Sequence, residues 1–141
     1  MPETVREQII NAFAQKVGAE RCVKLDSSSD LPAKSIWDNS EEATKKAFGV
    51  MEVVLPLPVE YLAEVNKTTY PILSSQGNAM LGELIQAATS EDNTLSGLCR
   101  SITYEESEIN YPEDGAKEIE VYAVFNITYQ FVIGDPFTIP I

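Results

Sequence analysis

The sequence predicts an α+β fold: a mostly antiparallel sheet with a long C-terminal β-hairpin, and two helices packed on one face. Three observations carry this. Two segments, Val5 to Val17 and Met80 to Ala88, repeat apolar residues at helical spacing. From Ile119 to Ile133 apolar residues occupy every second position without a break, which only a strand satisfies. The order of segments, a helix, three short strands, a helix and two long strands, suits helices laid on an antiparallel sheet. The whole chain, 1–141, reads as one domain.

Taken in order, residues 4 to 17 place Val5, Ile9, Phe13 and Val17 on one stripe, with Ile10 and Ala14 beside them. Thr4 and Glu7 have capping-box spacing, and Gly18 supplies a C-terminal stop. A short strand is expected from Arg21 to Leu25. Asp26-Ser27-Ser28-Ser29-Asp30 follows as a polar loop of turn formers. It lacks the ordered oxygen ligands, central Gly and distant Glu of an EF-hand, so it reads as solvated. Ser35-Ile36-Trp37-Asp38 is a further short strand, with Trp37 expected in the core. The mixed charges from Glu41 to Lys46 predict a loop or a helical turn.

Met51, Val53, Leu55, Leu57 and Val59 recur at period two, a strand from Val50 to Tyr61. Pro56 and Pro58 cannot donate ladder hydrogen bonds, so the far half of this strand is expected at a sheet edge or outside the sheet. Glu64 to Asn78 shows no pattern and reads as loop or part helix. Met80, Leu81, Leu84, Ile85 and Ala88 then mark the second helix. A strand from Arg100 to about Ile109 leads to Tyr111-Pro112-Glu113-Asp114-Gly115, whose Pro and Asp-Gly are turn signals. The final alternating run exceeds the usual 3–10 residues of a strand, so it is expected to bulge, bend or project as one arm of a hairpin. Its second face, with Tyr122, Val124, Asn126, Thr128 and Gln130, carries little charge near the middle and suits an interface or a second layer.

With 22 Asp+Glu against 10 Lys+Arg, no histidine and a net charge of −12, the chain is strongly acidic. Binding to DNA through counterion release needs clustered Lys and Arg, and anionic lipid is repelled for the same reason, so neither nucleic-acid gripping nor membrane binding is expected. No apolar run approaches the ~20 residues of a membrane span, and residues 1 to 17 lack the charged and apolar regions of a secretion signal. Cys22 and Cys99 stand far apart, outside any C-x-x-C, and read as half-buried thiols of a reducing compartment.

Without histidine, the commonest general acid–base residue, and without G-x-S-x-G, P-loop or G-x-G-x-x-G motifs, the common enzyme classes have no support. Glu105, Glu106 and Glu108, and again Glu113, Asp114, Glu118 and Glu120, lie close in sequence, but nothing marks a cleft that would perturb their pKa values. No catalytic residue, metal site or cofactor is expected. Two rival readings keep a definite form: a small-molecule carrier with a cavity lined by Phe125, Tyr129 and Phe131, and an acidic-site hydrolase using Glu105 and Glu118.

Taken together, "VREQIINAFAQKV", "DLPAKSIWDNSEEA", "VMEVVLPLPVEY", "AMLGELIQAA" and "EDNTLSGLCRSITYEESEINYPEDGAKEIEVYAVFNITYQFVIGDP" resemble, in order and spacing, the tail terminator (tail completion, minor tail protein U-like) family of long-tailed bacteriophages. The resemblance covers nearly the full chain; Glu64 to Gly77 does not fit it. It implies a structural protein, not an enzyme, that forms a homo-hexameric ring on the head-proximal end of the tail tube, stops tube polymerisation and presents the head-joining surface. Implied partners are the tail tube protein and a head-completion or connector protein, with DNA passing through the lumen unbound. The implied location is the virion, after assembly in the bacterial cytoplasm. Tyr122, Asn126 and Gln130 would serve subunit contact, and the turn Pro112, Glu113, Asp114 and Gly115 would reach a neighbour or the tube. Another neck or head-tail connector protein is the nearest alternative.

Overall fold

The computed structural model describes residues 2–26, 29–113 and 117–141. Helix α1 runs Val5–Val17. Its stripe is the expected one: Val5, Ile9, Ile10, Phe13, Ala14 and Val17 are all buried, and a fully buried Val, Ile or Phe contributes about 1.5–3 kcal/mol. The Thr4 side chain accepts a hydrogen bond from the Glu7 backbone N–H at 3.0 Å, half of a capping box. The other half is absent because the Glu7 carboxylate is taken by Arg21, at 2.6 Å. Gly18 stops the helix in the left-handed conformation, φ 73°.

Among the described residues six strands form one sheet in the order β1-β2-β4-β6-β5, with β3 also pairing β4. They are β1 (Glu20–Arg21), β2 (Ala33–Ile36), β3 (Glu42–Lys45), β4 (Val50–Glu64), β5 (Ser101–Asn110) and β6 (Glu118–Val132). Only β1 and β2 are parallel; every other pairing is antiparallel. The sheet is built on one ladder, in which β4 and β6 pair over their whole length from Val50↔Val132 to Glu64↔Glu118. Period two then decides the layers. Val53, Leu55, Leu57 and Val59 of β4 and Val121, Ala123, Phe125 and Ile127 of β6 are fully buried beneath the helices. Phe13 of α1 meets Phe125 with ring centroids 5.8 Å apart.

Helix α2, Leu73–Thr89, lies on the same face, packed on β5, β6 and α1. It begins well before Asn78 because its buried face opens with residues that carry no apolar signal, Gln76 and Gly77. The Gln76 amide accepts from the Asn66 N–H at 2.9 Å and donates to the Glu64 carbonyl at 2.8 Å, binding the end of β4 to the first turn of α2. At Gly77 a Cβ would stand 2.9 Å from Ile109 Cγ2, so the missing side chain sets how closely helix and sheet approach.

Several expectations are corrected. Arg21 to Leu25 is not a strand: β1 ends at Arg21, and Cys22 takes φ 56°. Glu41 to Lys46 is neither loop nor helical turn; it contains β3, which pairs Glu42–Lys45 with Met51–Val54. The far half of β4 stays inside the sheet. Pro58 accepts from the Trp37 N–H at 3.3 Å, so the side of β4 on which Pro58 lacks a donor faces away from β6. Pro56 shares that side, in the gap between the end of β2 at Ile36 and the start of β3 at Glu42, so neither proline costs the central ladder a bond. The hairpin of β5 and β6 does not project, since β6 is paired on both sides, and the irregularity falls in β5, between Tyr104 and Glu106. Trp37 is 39% exposed, because it continues β2 onto the face the helices leave uncovered. The cysteines split, Cys22 exposed and Cys99 buried. No helix among the described residues is long and apolar enough to cross a membrane.

Candidate assembly surface

Because both helices cover one face of the sheet, the opposite face shows the even-numbered residues of β4 and β6. The ladder arranges them in rows about 4.8 Å from strand to strand. One row joins Pro58, Val124 and Glu106; the next toward the β4 C-terminus joins Glu60, Tyr122 and Glu108, closed at its β2 end by the buried Ser35, which accepts from the Val23 N–H; beyond it come the buried Leu62, then Glu120 and Asn110. In the other direction Pro56 and Asn126 stand beside Thr103, and Glu52 beside Gln130. Trp37 extends the Pro58–Val124 row through its backbone bond to Pro58.

Tyr122, Asn126 and Gln130 all stand on this open face, each half-buried among its cross-strand neighbours. Successive members are roughly 14 Å apart at about 3.4 Å per residue, so they mark the length of the face and not one cluster. Pro112 and Glu113 lie past the end of β5, near Glu120 and far from Gln130; Asp114 and Gly115 are outside the described residues. Carboxylates dominate the Tyr122 end. Burial, and then the like charge of Glu120, raise the Glu60 pKa. Burial, followed by Glu106 and Glu60, raises that of the Tyr122 phenol.

The side of the sheet holding Trp37 is fixed by a polar clamp that sequence patterning missed. Arg6 of α1 donates to Glu41 Oε1 at 2.6 Å and to the Asn39 carbonyl at 2.6 Å, and meets Asp38 at 3.3 Å. The Tyr129 hydroxyl, buried in β6, donates to the same Glu41 oxygen at 2.8 Å. Arg21 joins Glu7 to Asp38 at the rim. The segment from Asp38 to Glu41 is thereby bound to α1 and β6 just where the chain leaves Trp37 for β3. Contacts this far apart in sequence leave no local signature.

The chemistry proposed for the rival readings is not assembled. Glu106 pairs with Val124, which places Glu105 roughly 20 Å along the ladder from Glu118 at about 3.4 Å per residue, far beyond the ~5–10 Å between paired glycosidase carboxylates. Phe125 packs on Phe13 and Tyr104, and Tyr129 on Phe131, so these rings fill space instead of enclosing it. A cleft of about 510 Å3 lies elsewhere, between the end of β4 and α2, with Tyr61, Gln76 and Glu83 in its wall. There Tyr61, pushed up to about 12 by burial and then by Glu83, stays a neutral phenol under the Lys34 ammonium, 4.8 Å from its ring centroid. Among the described residues no group of His, Cys, Asp or Glu is placed to hold a metal ion.

No known protein family matches the chain, and no curated protein matches it. A chain of the solved structure "Virion of native gene transfer agent (GTA) particle" aligns with 89% of this chain and 90% of its own length, at 12% identity and a TM-score of 0.40. Similarity at that level does not establish a shared fold.

Proposed function

We propose that the chain is a virion structural protein of a long-tailed phage or phage-like particle. In this reading it forms a homo-hexameric ring on the head-proximal end of the tail tube, ends tube polymerisation and presents the surface to which a head-completion or connector protein joins. The observation that carries this reading is the one-sided sheet. A central two-strand ladder is covered by helices on one face, while the other presents Trp37, Tyr122, Val124, Asn126 and Gln130 in a continuous, partly apolar surface. The order of motifs along the sequence supports it independently.

The mechanism is capping by contact. Tyr122, Asn126 and Gln130 meet a neighbouring subunit or the tube, and the segment from Pro112 to Gly115 reaches a neighbour or the tube. A net charge of −12 suits a ring through which DNA slides, because carboxylates repel phosphates instead of holding them. The protein acts without cofactor, membrane or catalytic residue, in the virion, after assembly in the bacterial cytoplasm. Replacing Tyr122 and Asn126 with Glu is expected to abolish rings, seen by negative-stain microscopy, while circular dichroism stays that of the folded chain. Rings that form unchanged in this variant contradict the reading.

A further inference from the structure

The β3–β4 turn carries an aromatic side chain that the core does not use. Its Phe48 is fully exposed, at 101%, and is held at φ 62° next to Gly49 at φ 73°. A bulky side chain rarely takes this left-handed conformation, and here it directs an aromatic ring into solvent. Lys45 and Lys46 stand just before it. Lys46 meets Glu52 at 3.2 Å; Lys45 has no ion pair among the described residues. The open face offers the complement. Its Trp37–Pro58–Val124 row is apolar, ends at Glu106, and is bordered by the row holding Glu60 and Glu108. The arginines that meet Asp38, next to Trp37 in the chain, are engaged further with Glu41 (Arg6) and Glu7 (Arg21).

We propose that the open face of one copy receives the Lys45-Lys46-Ala47-Phe48 tip of a second copy, with the phenyl ring on the Trp37–Pro58–Val124 row and Lys45 against Glu106 and Glu108. Within one chain the contact is out of reach: from Val50, beside the tip, to Pro58 the ladder spans roughly 27 Å at about 3.4 Å per residue. The two patches are different surfaces, so the contact is head-to-tail, the kind that closes into a ring when its rotation permits. An apolar knob flanked by cations meeting an apolar row flanked by carboxylates buries the ring and relieves the mutual repulsion of the glutamates. The inference rests on the ring reading and names its two contacting patches.

Sedimentation velocity over a concentration series tests it on the full chain, comparing wild type, Phe48→Ser, Lys45→Glu and the double variant Lys45→Glu/Glu108→Lys. All three positions are exposed, and circular dichroism verifies that each variant folds. Wild type is expected to assemble, Phe48→Ser to weaken assembly about thirtyfold, as loss of an aromatic anchor does, Lys45→Glu to weaken it, and the double reversal to restore it. If wild type assembles and Phe48→Ser or Lys45→Glu assembles equally well, this inference is overturned while the ring reading stands. If wild type stays monomeric at every concentration, this inference is overturned, and the ring reading is decided by gold labelling of tails.

Discussion

Removing one oxygen from the interior measures how firmly the chain around Trp37 is held. In Tyr129→Phe the ring keeps its place in the core while the hydroxyl that donates to Glu41 at 2.8 Å is lost. Glu41 keeps its bond from Arg6 at 2.6 Å, so no carboxylate is left without a partner. The loss is therefore that of one hydrogen bond to a charged acceptor, about 1.5–3 kcal/mol. The Glu41 side chain is 26% exposed and water can partly replace the missing donor, which puts the expected value near the lower limit, about 1.5 kcal/mol. Glu41→Leu should cost more. It strips Arg6 of one partner and leaves the buried Tyr129 hydroxyl without an acceptor, a penalty of about 1–3 kcal/mol for that group alone. In the double variant the orphaned hydroxyl is gone, so the two losses should add to more than the pair costs together, with a coupling of about 1 kcal/mol. Urea unfolding at pH 7, followed by the fluorescence of Trp37, the single tryptophan, reads all four proteins. A Tyr129→Phe loss below about 0.5 kcal/mol, or no coupling with Glu41→Leu, would refute the claim that this bond holds the segment.

Other expectations follow from the same structure. Tyr61, Tyr122 and Tyr129 all have raised pKa values, chiefly through burial. A phenol kept neutral in the fold but ionised at about 10 in the unfolded chain stabilises fully below pH ~10 and loses that contribution as pH rises through the folded value. Stability is therefore expected to fall steeply above pH ~10, and Tyr61→Phe to flatten the part of that slope extending toward 12; an unchanged slope contradicts it. Asp92 accepts from the Thr94 and Ser96 backbone N–H groups, and the Thr94 hydroxyl, followed by these N–H groups, holds its carboxyl at about 2. Its stabilisation is present above the unfolded value near 4 and disappears as pH falls toward 2, so Asp92→Asn should weaken the pH dependence of unfolding in that window. Gly77→Val should destabilise by about 1–3 kcal/mol through overpacking, because the new Cβ would stand 2.9 Å from Ile109 Cγ2; a stabilised variant would show that Ile109 yields freely.

Where period and capping carry the information, the sequence is enough. The α1 stripe, its Thr4 start and Gly18 end, and the alternation of β6 each depend on residues within one element, and each is found as expected. Legibility ends where partners are distant. β3 is polar and exposed along its length; it is a strand only because β4 offers an edge beside Val54, and no local pattern announces that. The early start of α2 is hidden for the same reason, its buried face opening with Gln76 and Gly77. Pro56 and Pro58 mark an open strand edge correctly in chemistry but not in place, since the edge is a gap within the sheet. The place of Tyr122, Asn126 and Gln130 on the face opposite the core is legible from alternation, whereas the exposure of Trp37 and Phe48 is not. An exposed tryptophan requires knowing which sheet face lacks helices, and an exposed phenylalanine requires the turn that β3 creates.

The central claim, that this chain is a virion component at the head-proximal end of a tail, is tested most directly by location. Antibody raised against the purified protein, coupled to gold and applied to particles from a lysate of the source, shows by negative-stain microscopy where the protein resides. Gold confined to the head-proximal end of tails is the predicted result. Gold on no particle of any kind would contradict it.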